Sequence, residues 1–189
     1  MANDCCGVLK VVSKNRETLL KVRDILEYSD DDYCLYRCRY SQPMGKEPFK
    51  DGDYWVWDFD VSGAWSCNPF FTYATEGDND KLIKGYEKDE NGRENYDKPI
   101  YGTATFTNLC NLASILDFGC ELYCSEPGMG FCQHFTVTHD GEYHEEEGEY
   151  TLDYPEGEDG EPDYDQEPTE EFGIDGFMDF SFTDEIYGE

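Results

Sequence analysis

Apolar residues alternate with polar ones over several short stretches of the chain, a pattern typical of strands with one buried face. The clearest stretch is residues 54–61, where one set of alternate positions is apolar or aromatic and the other ends in Asp58 and Asp60. Further strands are predicted over residues 4–12, 33–40, 120–124, 131–139 and 142–154. Asp140 and Gly141 are residues that a tight hairpin favours, so the last two strands are expected to pair.

Helical spacing of apolar residues predicts two helices. The first is capped by Asn15, and its apolar positions are Leu19, Val22 and Leu26. The second is expected over residues 108–118 and is ended by Gly119. The apolar residues on one face of this second helix are Leu109, Leu112, Ala113 and Leu116.

The order of these elements predicts an α+β domain with both helices on one face of a mostly antiparallel sheet. A ferredoxin-like plait is the simplest such topology, and we expect it over residues 1–154. The stretch at about 70–105 is long for a connection and has mixed charge, which predicts an excursion from the domain. Residues 155–189 form an acidic C-terminal segment that contains aromatic side chains.

Charge is distributed very unevenly along the chain. The net charge is −30, and residues 99–189 carry 24 of the 44 Asp and Glu but none of the 14 Lys and Arg. Such a field repels nucleic acid and favours a partner that is itself basic.

The nine cysteines are an odd number, and most lie within apolar patterns. They are expected to be reduced and packed as small apolar side chains in a cytoplasmic protein. We expect neither a signal peptide nor a membrane span, which would need ~20 apolar residues. We also expect no cofactor and no metal, because no paired Cys-x-x-Cys occurs. Zinc is the alternative, and its candidate ligands are Cys120, Cys124, Cys132 and His134.

Three stretches are distinctive: the opening Met1, Ala2 and Asn3, residues 59–69 (Phe-Asp-Val-Ser-Gly-Ala-Trp-Ser-Cys-Asn-Pro) and residues 122–131 (Leu-Tyr-Cys-Ser-Glu-Pro-Gly-Met-Gly-Phe). In these stretches the chain resembles the YubB-like ferredoxin-fold proteins of plasmids and phages. The resemblance implies a ferredoxin-like fold and an origin in a mobile element, so the cytoplasm expected for this protein is that of a host cell. It implies no catalytic residues. The middle excursion and the acidic C-terminal part depart from that pattern.

Regularly spaced carboxylates lead to the main functional hypothesis. In an extended strand over residues 142–154, the same-face carboxylates recur about every 6.8 Å, and they are Glu145, Glu147, Glu149 and Asp153. Duplex DNA has one charge per ~1.7 Å of axis, so several rows are needed to imitate it, including Asp58, Asp60 and the run from Glu156 to Glu171. We predict a mimic of nucleic acid that occupies the basic groove of a host defence protein, such as a CRISPR effector nuclease or a restriction enzyme. Salt should weaken this binding steeply.

The residues predicted to contact the partner are acids of the strands and the C-terminal segment, with tyrosines that supply contact area. They are Asp58, Asp60, Glu142, Glu145, Glu146, Glu147, Glu149, Asp153, Glu156, Glu158, Asp159, Glu161, Asp163, Asp165, Tyr150 and Tyr154.

The acidic segment has other interpretations. Acid runs with Gly and Pro, as in residues 155–168, are commonly disordered solubilising tails. However, the apolar residues between Phe172 and Ile186 need something to bury them. They are expected to pack back on the domain, to form a homodimer or to enter a partner's groove.

Two other functions are weighed. An acidic scaffold or chaperone would bind many basic proteins without a specific groove. An enzyme is not expected, because the sequence has no Gly-x-Ser-x-Gly, no phosphate-binding Gly loop and no His-Glu-x-x-His. A small metal-dependent enzyme would have to use Asp58 with Asp60, or His139 and His144 with Glu146.

Overall fold

The structure, a computed structural model, describes residues 4–27, 29–35, 38–72, 83–88, 92–101, 105–157 and 161–189. The described strands are β1 (Asp4–Ser13), β2 (Tyr33–Leu35), β3 (Cys38–Pro43), β4 (Phe49–Asp51), β5 (Tyr54–Ala64), β6 (Ile83–Lys88), β7 (Glu94–Tyr101), β8 (Thr105–Thr107), β9 (Gly119–Glu126), β10 (Phe131–Val137), β11 (Tyr143–Asp153) and β12 (Thr169–Phe172). The described helices are α1 (Arg16–Leu26), α2 (Pro69–Thr72), α3 (Leu109–Leu116) and α4 (Thr183–Tyr187).

Eight strands form the main sheet, in the order β12-β11-β10-β9-β1-β5-β3, with β4 also paired on β5. All these pairings are antiparallel. Seven strands in succession curl into a half-barrel. The parallel pair β2–β8 and the antiparallel pair β6–β7 form two small separate sheets.

The expected ferredoxin-like plait is wrong. The sheet does not end at four strands, because β10, β11 and β12 continue it beyond β9. The helices also lie on both faces. We call the face that packs against α1, α2 and α3 the inner face, and the face covered by α4 the outer face.

Most predicted strands are confirmed with altered ends. Residues 54–61 lie in β5, which runs on to Ala64, and the strand expected at 120–124 becomes the longer β9. The stretch 33–40 falls into two strands in different sheets, β2 and β3. The expected hairpin joins β10 to β11 through a turn in which Gly141 has a φ of +89°. Within the middle excursion the described residues form β6 and β7, while residues 73–82, 89–91 and 102–104 lie outside the described part.

Both predicted helices are present. The side chain of Asn15 accepts a hydrogen bond from the Glu17 amide at 3.0 Å, which caps α1. The Asn108 side chain caps α3 in the same way, by accepting from the Asn111 amide at 2.8 Å. However, α3 ends at Leu116, because Asp117 takes the left-handed conformation that was expected of Gly119.

The main core lies on the inner face. It consists of alternate residues of β1, β5, β9 and β10 packed against the apolar faces of α1 and α3, and it includes Leu9, Phe59, Leu122 and Phe135. Two smaller clusters lie on the outer face. One joins Val12, Tyr54 and Val56 to Ile186 and Tyr187, and the other joins Cys132 and Tyr150 to Ile174.

The C-terminal segment, residues 172–189, therefore packs back on its own domain. Phe177 and Phe180 meet the ring of Tyr123 edge-on, with centroids 5.3 and 5.1 Å away. Ile174 and Ile186 are buried, whereas Met178 and Phe182 remain exposed. A homodimer through this segment would have to use mainly the exposed pair.

A buried carboxylate holds this segment in place. Glu121, on the outer face of β9, is fully buried. It lies 2.7 Å from His134 Nε2 and accepts hydrogen bonds from the Ser181 amide and hydroxyl at 2.9 and 3.1 Å. These bonds satisfy a charge-bearing group that would be costly to bury alone. No helix in the described part of the chain is long and apolar enough to cross a membrane.

Truncating Ile186 tests the docking of the C-terminal segment. Ile186→Ala is expected to lower the free energy of unfolding by about 2–4 kcal/mol, because it opens a cavity between α4 and the outer face. Phe182→Ala is the control, since that ring is 77% exposed. Urea unfolding of both variants measures the difference, and equally small effects would contradict the docked arrangement.

Candidate functional site: an acidic ribbon at the sheet edge

β11 is longer than the strand beside it. Its first seven residues pair with β10, and residues from Tyr150 to Asp153 pair instead with β12. At about 3.4 Å per residue, an 11-residue strand is roughly 37 Å long, so its last third extends past the end of β10. The chain then returns to the sheet edge through β12.

We call residues 149–157 and 161–171, which contain this projecting part and the last β11 residue paired with β10, the acidic ribbon. It is held by its own backbone bonds: the Gly157 amide donates to the Glu161 carbonyl and the Asp163 amide donates to the Pro155 carbonyl, both at 2.8 Å. The rings of Tyr154 and Tyr164 meet edge-on at 4.9 Å. The predicted acidic segment is thus a folded hairpin extension of the sheet.

Carboxylates cover both sides of the acidic ribbon. The register places Asp153 and Glu171 on the inner side and Glu170 on the outer side. Hydrogen bonds from the Gln166 side chain and the Asp165 amide lower the pKa of Asp163, which keeps that carboxylate charged. Within the described part of the chain, no Lys or Arg forms an ion pair with Asp153, Glu167 or Glu171.

The predicted row on β11 is confirmed as one face, since Glu145, Glu147 and Glu149 lie opposite Phe135, Gln133 and Phe131. Two of these acids already accept hydrogen bonds from other side chains of the protein. Glu145 accepts hydrogen bonds from Asn68 at 2.8 Å and Tyr143 at 2.6 Å, and Glu147 accepts one from Gln133 at 3.0 Å. Glu149 and, on the other face, Glu146 are exposed, as is Glu142 beside the hairpin turn.

Asp58 and Asp60 lie on the outer face of β5, which is four strand steps from β11 along the sheet. Asp58 is half-buried beside Lys10; burial raises its pKa, and the lysine opposes the rise. Asp60 lines an outer-face pocket together with Phe172, the residue that follows the acidic ribbon. The two aspartates thus belong to a different strand from the row of carboxylates on β11.

The two predicted contact tyrosines differ. Tyr150 is buried against Phe172, and its hydroxyl donates to Glu170 at 2.7 Å, so its ring is not available to a partner. Burial and that carboxylate raise the pKa of Tyr150 to about 12. Tyr154 is half-buried on the acidic ribbon. The predicted contacts Glu158 and Asp159 lie outside the described residues.

Glu167, Glu170 and Glu171 belong to the run from Glu156 to Glu171 that was expected to supply rows of charge, but they were not among the individual contacts predicted. Their pairing could not be foreseen, because nothing local showed that residues 169–172 pair with β11. An apolar pocket of about 520 Å³ on the outer face was not predicted either. Its walls include Val8, Asp60, Tyr123, Phe172 and Phe177.

The alternative zinc ligands do not converge. Cys120 and Cys124 point to the inner face, whereas Cys132 and His134 point to the outer face. His139 stacks on Tyr187, with ring centroids 4.4 Å apart. Ligand-type side chains do converge in the inner core, at Cys5, Cys67 and Cys124.

Comparison with family models, with curated proteins and with solved structures finds no match for this chain. The resemblance to the YubB-like proteins therefore stays a prediction.

Hydrogen exchange tests whether the acidic ribbon is folded in solution. The amides of Gly157 and Asp163 are expected to be protected, because both donate to backbone carbonyls. Tyr164→Ala removes a ring contact worth about 0.5–1.5 kcal/mol and should speed their exchange about two- to tenfold. Phe182→Ala, which also removes an exposed ring, should leave these amides unchanged. Free exchange of both amides in the unmodified protein would contradict the folded ribbon.

Proposed function

We propose that this protein binds a basic nucleic-acid-binding protein through the acidic ribbon and competes with that protein's nucleic acid. The observation that carries the proposal is a folded, projecting ribbon on which Asp153, Glu167 and Glu171 form no ion pair with a Lys or Arg of the described residues. Side chains that are charged and positioned before binding lose less entropy when they meet a partner. A basic groove would supply counter-charges to these three carboxylates.

The charges of the acidic ribbon are dense enough to imitate a nucleic-acid backbone. The described acidic ribbon carries nine carboxylates: Glu149, Asp153, Glu156, Glu161, Asp163, Asp165, Glu167, Glu170 and Glu171. Residues 149–157 extend over at most about 27 Å, so these acids give at least one charge per roughly 3 Å. A single strand of DNA carries one charge per about 3.4 Å. The acidic ribbon therefore reaches at least the charge density of one nucleic-acid strand.

The target that we propose is a host defence nuclease, such as a CRISPR effector or a restriction enzyme. The basic channels of such proteins hold nucleic-acid backbones largely through charge, with little dependence on sequence. An anionic ribbon can meet the same Lys and Arg side chains. The exposed ring of Tyr164, at the end of the ribbon, adds a surface that can stack or pack at low entropic cost.

Competition is the direct test of this proposal. The protein is expected to displace a labelled single-stranded oligonucleotide from a CRISPR effector or a restriction enzyme, and to inhibit cleavage. Its affinity should fall at least tenfold between about 0.05 and 0.5 M salt, because exposed charges are screened. Binding without displacement would favour the acidic scaffold instead. Absence of binding at low salt to a panel of such nucleases would overturn the proposal.

Neutralising acids of the ribbon tests whether these particular charges contribute to binding of the partner. A triple variant removes three exposed charges: Asp153→Asn, Glu167→Gln and Glu171→Gln. It is expected to weaken binding about tenfold, because each lost ion pair with a partner Lys or Arg contributes up to about 1 kcal/mol. The matched control removes three exposed charges elsewhere: Asp53→Asn, Asp97→Asn and Glu185→Gln. Equal losses in both variants, measured by calorimetry, would show that net charge alone drives the binding.

A further inference from the structure

Three cysteines from distant parts of the chain meet in the inner core. Cys5 is the second residue of β1, Cys67 lies between β5 and α2, and Cys124 lies on β9. All three are buried, at 0–1% exposure, and their sulfur atoms lie within 4.8 Å of one another. Cys5, Cys67 and Cys124 are all free thiols, so no disulfide accounts for this convergence.

Two glycines make room for the cluster. Gly7 pairs with Cys124, and a Cβ at Gly7 would lie only 2.5 Å from the Cβ of Cys124. Gly63 pairs with Cys5, and a Cβ there would lie 2.4 Å from the Ser66 carbonyl oxygen. The missing side chains thus let Cys124 and the loop of Cys67 close in around Cys5.

The cluster stabilises negative charge on one of its three sulfurs. Hydrogen bonds from the thiols of Cys124 and Cys67 lower the pKa of Cys5, although burial opposes this. The pKa values of Cys67 and Cys124 are raised instead, because their side chains are buried and hydrogen-bonded to the Cys5 sulfur. The Cys67 thiol lies 3.6 Å from the Cys5 carbonyl oxygen. A thiolate in an apolar core is the form that binds metal ions.

We propose that Cys5, Cys67 and Cys124 together bind one thiophilic metal ion, Zn²⁺ or Cu⁺, as a structural site. Thiolate sulfur selects these ions over hard cations such as Mg²⁺ and Ca²⁺. A metal about 2.3 Å from each sulfur holds the sulfurs about 4 Å apart, so the cluster has to contract by less than about 1 Å. Binding displaces the remaining thiol protons to solvent.

The surroundings offer a fourth donor. Gln133 Oε1 lies 3.9 Å from Cys124 Sγ and accepts a hydrogen bond from Ser66 at 2.9 Å. With Zn²⁺ this oxygen completes a tetrahedral set, and Cu⁺ is satisfied by the three sulfurs alone. In either case the ion ties β1, β9 and the loop before α2 together.

The test uses the full chain, reduced and free of oxygen. Metal-free protein is titrated with Zn²⁺ against a coloured zinc chelator and, in a separate arm, with Cu⁺ against a copper chelator. One ion per chain is expected, and the tighter arm identifies the metal. Cys67→Ser should weaken binding at least tenfold. The matched control is Cys132→Ser, which alters a buried thiol on the outer face and should leave binding unchanged.

X-ray absorption counts the sulfur neighbours of the metal bound to the unmodified protein. This measurement does not depend on whether the variants fold. Three sulfur neighbours at about 2.3 Å are expected. Fewer than three sulfur neighbours, equal metal binding by Cys67→Ser, or a disulfide within the cluster and no bound metal would each overturn the proposal.

Discussion

The hydrogen-bonded carboxylate of Glu121 is the contact on which the outer half of the molecule depends. It joins β9 to Ser181, and with His134 it forms the polar centre of an otherwise apolar contact. Without the C-terminal segment, the outer side chains Val12, Tyr123 and Cys132 would face water and Glu121 would lose the Ser181 donors. The N-terminal strand β1 and the C-terminal segment thus meet on the outer face. Phe172 of β12 packs between Tyr150 of β11 and Phe177 of the docked segment.

This arrangement explains how the chain tolerates its charge. A net charge of −30 opposes compaction, because like charges repel across the fold. The 14 Lys and Arg all lie before residue 99, where pairs such as Lys21 with Asp30 and Asp32 offset part of the repulsion. The described acids of residues 153–157 and 161–171 instead lie on a ribbon that projects beyond β10. Much of the negative charge is therefore placed beyond the strands that form the main core.

Local patterns predicted the elements but not their assembly. Alternation located β5, the turn at Asp140 and Gly141 located β11, and Asn15 and Asn108 located the starts of α1 and α3, because each signal depends on neighbouring residues. The pairing of Leu152 with Glu170 and the burial of Glu121 depend on contacts between distant residues, which no local spacing reveals. The four-strand plait was wrong for that reason. The carboxylates of residues 145–149 were placed correctly on one face, yet their bonds to Asn68 and Gln133 were not foreseeable.

Gln133 links the two proposed sites. Its amide oxygen accepts from Ser66 and lies next to Cys124, while its amide nitrogen donates to Glu147 on the acidic face of β11. A metal that recruited this oxygen would fix the side chain from the core side and hold the Glu147 carboxylate in one orientation. The described acids of residues 153–157 and 161–171 lie beyond that contact. The cysteine site would therefore act on the base of β11 and leave the charge of the projecting ribbon unchanged.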